Sequence, residues 1–476
     1  MHSLPLRRTK IQRSVALLRR CRRAGSRRMA GFAAATEEVD ASSLLSGGGI
    51  NLAVGHPAAS LLPHALLSRA CQAAAQTLSS GPSADWQLSY GRIAGDNTVR
   101  AALSTYLSAR EHAAADVDFG PGSHAVRPPG AVSPQELFIT AGISHGLETV
   151  TAALCVRGDT VVVVKPTYFL ASGVFRDWGL HLAAVDADEE AGLDVDQLEG
   201  MLRGGLRPRM LYVVTTHANP TGRTLTPAAR HRLVQLAMEF KFFILADEVY
   251  DMLSWGPPVP PRMRAYIPTD AADAEVQTSA DLDAAPLEVT QGNCVVALAS
   301  FSKLLAPGLR VGWIEAAPSV LARISNRGYL ISGGGVTPFS SRLVQEVLTS
   351  GGQENHLALL RTGLLSRCDA MCAALRKHAA RCGWSFMEPQ GGYFVWLSLP
   401  DGMDGVALTE AAKAKGVSVL AGASCCAGAA RSSGSRSAGV ARVESHVRLC
   451  FAYLSVREIE QGVALLADAC ESLHNR

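Results

Sequence analysis

One stretch decides how the chain can fold, and it reads Ala299-Ser300-Phe301-Ser302-Lys303-Leu304-Leu305-Ala306-Pro307-Gly308-Leu309-Arg310-Val311-Gly312-Trp313. The apolar run before it, from Cys294 to Leu298, is typical of a buried strand. Pro307 and Gly308 interrupt the chain before a second apolar run from Leu309 to Ile314. Two hydroxyls, an amine and a guanidinium are therefore predicted to lie near the end of a strand.

The polar residues of this stretch suggest a particular kind of ligand. Lys303 and Arg310 stand seven residues apart, with Ser300 and Ser302 beside the lysine. An amine can form a Schiff base with an aldehyde, while hydroxyls and a guanidinium can hold a phosphate. The stretch suits an aldehyde that also carries a phosphate. Taken alone, it is equally compatible with a strand, a turn and ordinary surface Lys and Arg side chains.

Composition and charge limit the possible functions. The 476 residues are 48% hydrophobic and 18% charged, which fits a globular protein of more than one domain. No apolar run approaches the ~20 residues that a membrane-spanning helix needs. Residues 1–36 hold ten Lys or Arg and no acid, which leaves 35 bases against 42 acids in the remainder. We therefore expect neither a nucleic-acid nor a membrane partner.

The basic stretch of residues 1–36 is Arg-rich and lacks the continuous apolar core of a secretory signal. This composition is typical of an organellar transit peptide, and we expect a mitochondrial location. Two alternatives stay open: a disordered basic arm, or a chain that starts at Met29 and remains cytoplasmic. Eleven cysteines occur without a CxxC pair or a metal-ligand spacing, so reduced thiols and no metal site are expected.

Strands and helices alternate along most of the chain. Uninterrupted apolar runs predict an α/β fold with a mostly parallel central sheet flanked by helices, in which ligands bind at the carboxyl ends of strands. We expect an N-terminal segment at 37–85, a large domain at 86–335 and a smaller α+β C-terminal domain at 336–476. The predicted strands are 136–140, 159–164, 210–214 and 242–246 in the large domain, and 391–397 and 447–452 in the small domain.

Two stretches interrupt this alternation. Residues 256–292 are rich in Pro, Asp and Ala and show little periodicity, so an exposed loop insertion is expected there. Residues 424–445 are rich in Ala, Gly, Ser and Arg, which predicts a mobile low-complexity insertion.

Polar residues follow the predicted strands, where a cofactor could be held. At Gly142 the chain turns into a helix whose first N–H groups, at Ile143 and Ser144, favour an anion such as a phosphate. Asp247 follows an apolar strand, and a carboxylate there can pair with a protonated ring nitrogen of a cofactor. A helix cap or a structural salt bridge is the competing interpretation of Asp247.

Four further residues could contact a flat ring, its oxygen or a substrate. Asn219 and Tyr250 can each donate a hydrogen bond to a phenolate oxygen, although an Asn-Pro turn and a core aromatic are the ordinary alternatives. Tyr168 can stack on a ring or simply pack in the core. Arg448 lies in an apolar strand, where a charge is costly unless it is paired, and its planar fork suits a carboxylate. A structural ion pair explains Arg448 equally well.

These residues together describe a site for pyridoxal 5′-phosphate acting on an amino acid. At this point the chain resembles a known family, the fold-type I, class I/II aminotransferases that use this cofactor. Within the family it looks most like the subgroup acting on 2-aminoadipate, kynurenine and related aromatic or long-chain amino acids. The matching motifs are Tyr90-Gly91 with Gly95 and Arg100, Asn219-Pro220-Thr221-Gly222, Ala246-Asp247-Glu248-Val249-Tyr250, Ser300-Phe301-Ser302-Lys303, Gly308-Leu309-Arg310-Val311-Gly312-Trp313, Gly391-Gly392-Tyr393-Phe394-Val395-Trp396 and Arg448-Leu449.

The resemblance implies a role for each matched position. Lys303 is expected to carry the Schiff base and to move the substrate's α-proton, and Asp247 to bond the pyridine nitrogen. Tyr90 is expected to reach the phosphate in a neighbouring subunit, which implies a homodimer with shared sites. The other implied cofactor contacts are Ile143, Ser144, Tyr168, Asn219, Tyr250, Ser300, Ser302 and Arg310, and the implied contacts to the substrate α-carboxylate are Asn219, Arg448 and the backbone of Gly55.

The resemblance implies transfer of an amino group from an L-amino acid to a 2-oxo acid such as 2-oxoglutarate. Two alternatives remain: a carbon–sulfur β-lyase with the same cofactor, and a regulator that binds the cofactor as a ligand. Such regulators carry an N-terminal DNA-binding domain, for which residues 1–50 look too short and loop-like. Ser424-Cys425-Cys426 stands where many family members have an aromatic residue. The rim of the substrate pocket is therefore the part expected to differ from the family.

Overall fold

The computed structural model describes most of the chain, namely residues 49–78, 88–115, 132–268, 271, 273, 286–426 and 443–474. The predicted basic tail of residues 1–36 lies outside these residues, as do most of the predicted 424–445 insertion and part of the predicted 256–292 loop. Within the described part, no helix combines the length and the apolar character needed to cross a membrane.

A seven-stranded sheet organises the larger part of the chain. Its strands are β2 (Leu137–Thr140), β3 (Thr160–Lys165), β4 (His181–Asp186), β5 (Met210–Val214), β6 (Phe243–Asp247), β7 (Val295–Ser300) and β8 (Gly312–Glu315). Their order is β2-β8-β7-β6-β5-β3-β4. Strands β4, β3, β5, β6 and β7 are parallel, while β8 runs antiparallel to both β7 and β2. The predicted α/β fold with a mostly parallel sheet is confirmed.

Helices cover the sheet and form much of the C-terminal part. They are α1 (His64–Leu78), α2 (Asn97–Ala115), α3 (Ile143–Leu154), α4 (Phe169–Asp177), α5 (Val195–Arg203), α6 (Pro227–Phe240), α7 (Phe301–Leu304), α8 (Pro318–Ser325), α9 (Gly328–Gly333), α10 (Pro338–Thr349), α11 (Gly352–Cys382), α12 (Gly405–Ala414) and α13 (Val456–His474). Local signals set several boundaries, since the side chain of Asp194 caps α5 and that of Thr226 caps α6. Helices α10 and α11 are separated at Gly351, whose φ of 70° ends one helix before the next begins.

A smaller sheet lies in the C-terminal part and also holds the N-terminal chain. It contains β9 (Ser385–Phe386), β10 (Phe394–Ser398), β12 (Leu420–Ala421) and β13 (His446–Cys450), in the order β12-β13-β10-β9. Strand β1 (Ile50–Asn51) pairs in parallel with β11 (Val417–Ser418). The backbone N–H of Cys450 donates to Leu52 O at 2.6 Å, and that of Ala58 donates to Ala452 O at 2.8 Å. These bonds fix the segment that follows β1 beside β13.

The strand ends that carry the predicted site residues share one edge of the central sheet. Val214 at the end of β5 pairs with Asp247 at the end of β6, and Asp247 pairs with Leu298 in β7. Strand β2 points in the same direction as β7, because each is antiparallel to β8. The carboxyl ends of β2, β5, β6 and β7 therefore open toward the same space, where ligands bind in sheets of this kind.

Residues 256–268 differ from the exposed loop that their composition predicts. Met263 and Tyr266 are buried. The buried Arg264 donates from Nε to Glu315 Oε1 at 3.2 Å and from Nη2 to Glu136 Oε1 at 2.5 Å. Glu315 ends β8 and Glu136 precedes β2, so these ion pairs anchor the chain beside the sheet. Buried charges require such partners, and Pro-rich composition gave no sign of them.

Candidate active site

Lys303 lies directly after β7, in the single helical turn α7. The side chain of Ser300 accepts a hydrogen bond from the backbone N–H of Ser302 at 3.1 Å and so caps this turn. The Lys303 Nζ donates to Gly55 O at 2.7 Å and lies 5.3 Å from the centre of the Tyr393 ring. Burial lowers the pKa of Lys303 to about 8. A sizeable fraction of the amine is therefore neutral near physiological pH and able to attack an aldehyde.

An anion cradle is formed by the first turn of α3 and the side chain of Arg310. Gly142 precedes α3 with a φ of 85° and offers no side-chain cap, so the N–H groups at Ile143 and Ser144 stay available. The Arg310 Nη2 donates to Ala141 O at 3.0 Å. A Cβ atom on Gly142 would lie 2.6 Å from the same Nη2. Only glycine lets the guanidinium come this close to the start of the helix.

The hydroxyl groups of Ser300 and Ser302 border the same cradle. Ser300 Oγ lies 2.9 Å from Ser302 Oγ, and Arg310 Nη1 lies 3.4 Å from Ser302 Oγ. Backbone N–H groups, two hydroxyls and a guanidinium thus meet beside Lys303. This combination is the one that binds a phosphate monoester.

Asp247 is the buried acid of the site, with 2% of its surface exposed. Burial raises its pKa to about 6, while a hydrogen bond from Tyr212 favours the ionised form. The Tyr212 hydroxyl donates to Asp247 Oδ2 at 2.8 Å. The backbone N–H of Val249 donates to Oδ1 at 3.4 Å, so Oδ1 has the longer and weaker of the two hydrogen bonds and is the oxygen more open to a ligand. Tyr212 was not predicted as a site residue, since its role depends on the pairing of β5 with β6.

Tyr168 and Tyr250, the two predicted ring contacts, both lie near enough to Asp247 for its charge to affect their pKa values. Tyr168 begins α4, and burial raises its pKa to about 12, with a further contribution from the charge of Asp247. Tyr250 is buried and lies 5.5 Å, between ring centres, from Tyr393 and 6.1 Å from Phe394. The space between Asp247 and Lys303 is therefore walled by aromatic rings.

Arg448 and Asn219 meet at the other end of the site. Arg448 lies in β13 and is 5% exposed. Its Nη1 donates to Asn219 Oδ1 at 2.8 Å and its Nη2 donates to Ala53 O at 2.6 Å. The guanidinium also lies 4.2 Å from the centre of the Phe394 ring. Among the described residues, no carboxylate lies within ion-pair distance of the guanidinium. Arg448 therefore does not form the structural ion pair that was its alternative interpretation.

His217 packs against Gly391 and Gly392 and so positions this end of the site. This contact was not predicted from the sequence. A Cβ atom on Gly391 would lie 2.0 Å from His217 Nε2, and one on Gly392 would lie 2.8 Å from His217 Cβ. His217 is two residues before Asn219, and the glycine pair leads directly to Tyr393 and Phe394. This close contact between an imidazole and two glycines therefore fixes the loop that carries Asn219 beside β10, the strand that pairs with the strand of Arg448.

Tyr90 lies apart from these residues within its own chain. Its side chain is 79% exposed, and its backbone passes close to α9, since a Cβ atom on Gly334 would lie 2.6 Å from Tyr90 O. The structure thus brings together the predicted residues on the strand ends, on β13 and at Gly55, and leaves Tyr90 at the surface. Among the described residues, no group of three or more His, Cys, Asp or Glu side chains could hold a metal ion.

The fold and the site define a class of protein. A lysine at the mouth of a mostly parallel sheet, a phosphate cradle beside it and a buried acid opposite form the cofactor site of a fold-type I pyridoxal-phosphate enzyme. A profile of the family described as aminotransferase class I and II matches residues 48–466. The chain belongs to that family.

Individual relatives agree with this assignment. The chain is 28% identical over 386 residues to aromatic-amino-acid aminotransferase 1 of Thermococcus litoralis, covering 80% of this chain and 79% of the relative. The structure of a multiple substrate aminotransferase from Thermococcus profundus is 26% identical, covers 93% of this chain and 96% of its own, and has a TM-score of 0.73. The alpha-aminoadipate aminotransferase of Thermus thermophilus, solved with N-(5′-phosphopyridoxyl)-L-leucine, is 28% identical over 91% of this chain and 95% of its own, with a TM-score of 0.71.

The chain is therefore a transaminase that depends on pyridoxal phosphate, and its residues fit that cofactor. The Arg310 guanidinium lies against the glycine that precedes α3, so its charge and the first N–H groups of that helix could hold a phosphate together. Asp247 could place a buried negative charge beside the ring nitrogen, and Lys303 could provide the amine that bonds to the aldehyde. When bound, the cofactor provides the aldehyde and an electron-accepting ring. The expected cofactor and reaction class are confirmed.

Proposed function

We propose that this transaminase takes an L-amino acid with a long or aromatic side chain, of the 2-aminoadipate, kynurenine or aromatic type, and passes its amino group to a 2-oxo acid such as 2-oxoglutarate. The observation that carries the proposal is the buried Arg448–Asn219 pair, 2.8 Å apart, beside the rings of Phe394, Tyr393 and Tyr250. The pair offers donors for one α-carboxylate, and the rings offer an apolar surface for the rest of the substrate. The names of the relatives from Thermococcus litoralis and Thermus thermophilus support the same substrate classes.

Each protein group contributes one part of the chemistry. Arg448 can bind the α-carboxylate through the N–H groups of its guanidinium. This contact would orient the Cα–H bond of the donor toward Lys303. With the cofactor bound, the Lys303 Nζ would remove the proton from the donor's Cα and deliver it to the cofactor, and in the second half-reaction it would carry a proton back to the Cα of the newly formed amino acid. Asp247 holds a negative charge at the far side of the ring throughout, which stabilises the positive charge on the ring nitrogen. The aromatic walls exclude water from the reacting carbon.

A donor screen tests the substrate assignment. The purified enzyme is incubated with 2-oxoglutarate and each of a panel of L-amino acids, and glutamate formation is measured. 2-Aminoadipate, kynurenine and aromatic donors should give a kcat/KM about tenfold or more above that of alanine, since each extra apolar contact is worth ~1–3 kcal/mol. Preference for short donors would contradict the proposal. Release of ammonia and pyruvate from sulfur amino acids without an acceptor would instead identify a β-lyase.

We propose in addition that the active enzyme is a homodimer whose sites are shared. An exposed apolar surface supports this, and it begins at Leu88 and Tyr90 and continues over Tyr329 and Ile331 on α9. The ring of Tyr329 lies 6.2 Å, between ring centres, from that of His145 in the first turn of α3. The surface thus borders the phosphate cradle. A second copy of the chain would cover it and bring its own Tyr90 to the cradle.

Mixed dimers of two inactive variants test this arrangement. Lys303→Ala and Tyr90→Ala are each expected to be weakly active as homodimers. When the two are unfolded, mixed and refolded together, a heterodimer has one site with both an intact Lys303 and an intact Tyr90. Activity should therefore return on mixing, with about a quarter of all sites intact if assembly is random. No recovery on mixing, or a monomer by size-exclusion chromatography with light scattering, would contradict the shared site.

A further inference from the structure

Tyr212 is a buried residue next to the cofactor acid. It lies in the middle of β5, fully buried, between the apolar residues Leu211 and Val213. A hydroxyl in such a place is costly unless it finds a hydrogen-bond partner. Its recorded partner is Asp247 Oδ2, at 2.8 Å. The contact is short enough for a hydrogen bond to a charged acceptor.

The strand register explains why this tyrosine reaches this acid. Val214 pairs with Asp247, and Tyr212 pairs with Leu245 two residues back along the parallel strands. Side chains two residues apart point to the same face of a sheet. The Tyr212 ring therefore lies behind Asp247 on the same face, and its hydroxyl extends forward to the carboxylate.

The Tyr212 ring cannot easily move away from this position. It packs edge-on against the buried Phe175 of α4, with ring centres 5.6 Å apart and planes at 66°. Such edge-to-face pairs are favourable and directional. The hydroxyl is thus held in place by packing before any ligand arrives.

We propose that Tyr212 is a positioning residue for the cofactor: by occupying Oδ2 of Asp247 with a hydrogen bond, it fixes the carboxylate so that Oδ1 faces the cofactor's ring nitrogen. The inference rests on the use of pyridoxal phosphate and not on the identity of the amino donor. Without the hydroxyl, Asp247 would keep only the distant N–H of Val249, at 3.4 Å from Oδ1, and could rotate.

The charges around Asp247 indicate a second consequence. Burial disfavours the ionised carboxyl and raises its pKa, and the neighbouring Asp251 acts in the same direction. The hydrogen bond from Tyr212 and the positive charge of Lys303 act against this rise. Removing the hydroxyl should therefore raise the pKa of Asp247 further, so that the carboxyl becomes protonated at a higher pH than in the unaltered protein.

Tyr212→Phe tests the proposal, with Tyr266→Phe as the matched control. Tyr266 is also a buried tyrosine, but its hydroxyl has no hydrogen-bond partner among the described residues. The dissociation constant of pyridoxal phosphate from the apo-protein is measured by titration between acid and neutral pH. Tyr212→Phe should bind the cofactor about tenfold or more weakly, and the pH midpoint for loss of binding should shift upward. Tyr266→Phe should match the wild type in both.

Kinetics separate positioning from a general loss of structure. In the loaded enzyme, Tyr212→Phe should lower kcat while leaving KM for the amino donor nearly unchanged, because Arg448 binds the donor and is untouched. An unchanged cofactor dissociation constant and pH midpoint in Tyr212→Phe would overturn the proposal. So would a lowered melting temperature of the apo-protein with normal cofactor affinity, since it would assign Tyr212 a purely structural role. Failure of the donor assignment would leave these binding measurements unaffected.

Discussion

Replacement of Lys303 by alanine is expected to lower kcat by about 10⁴-fold or more. Proton transfer by a positioned side chain contributes 10²–10⁴-fold on its own, and the same amine also forms the covalent bond to the cofactor. The Lys303 Nζ lies at the mouth of the sheet, held by Gly55 O at 2.7 Å. Lys413→Ala, an exposed lysine on α12, serves as the control and should leave the rate unchanged.

Covalent attachment gives a readout of Lys303 that does not depend on turnover. Borohydride reduction of the loaded wild-type enzyme should add the mass of the reduced cofactor to the peptide that contains Lys303. Because burial lowers the pKa of Lys303 to about 8, the neutral amine fraction grows as the pH rises toward that value. The rate of attachment to the apo-protein should therefore rise with pH and level off above about 8. Labelling of a different lysine, or normal turnover by Lys303→Ala, would refute the assignment.

The second large effect is expected for Asp247→Asn, which should lower kcat/KM by roughly 10²–10⁴-fold. The substitution keeps the shape of the side chain but removes a buried negative charge, and breaking a buried charge pair costs about 3–5 kcal/mol. Burial raises the pKa of Asp247 to about 6 in the cofactor-free protein. Cofactor affinity of the wild type should therefore decline as the pH falls through about 6, and this decline should be absent from Asp247→Asn.

Glu248→Gln is the matched control for Asp247. Glu248 is the next residue and is equally buried, but its Oε1 accepts from the backbone N–H of Met263 at 2.8 Å, away from the site. Burial raises its pKa, and its Oε2 lies 3.7 Å from Arg262 Nη1, so its polar contacts are made outside the cofactor site. Glu248→Gln should keep near-wild-type kcat/KM and cofactor affinity. Equal losses in both variants would show that any buried charge near β6 matters, and not the position of Asp247.

Much of the fold and of the site can be predicted from the sequence, because both follow from strand ends. The apolar run 210–214 coincides with β5, and the runs 242–246 and 294–298 end one residue before the end of β6 and two residues before the end of β7. In a parallel sheet these ends must share one edge. Residues placed there by local pattern alone are therefore brought together in space. The prediction needs no knowledge of the exact strand order.

What the sequence does not predict depends on contacts between distant segments. The bond from Tyr212 to Asp247 requires the register of β5 on β6. The contact of His217 with Gly391 joins the loop that follows β5 to the chain that precedes β10. Met263 lies in a Pro-rich stretch that reads as a loop, yet it is buried because neighbouring arginines form ion pairs with acids beside β8. Strand β4 is not among the predicted strands either, because most of its residues are only half-buried and its apolar run is short.

Transfer of the amino nitrogen itself tests the central claim most directly. The loaded enzyme is incubated with a ¹⁵N-labelled L-amino acid of the aromatic or 2-aminoadipate type and unlabelled 2-oxoglutarate, and the glutamate is analysed by mass spectrometry. A transaminase built around Lys303 should place ¹⁵N in glutamate, with one 2-oxo acid formed from the donor for each glutamate, and Lys303→Ala should place none. Release of the ¹⁵N as ammonia, or transfer that persists without Lys303, would contradict the account.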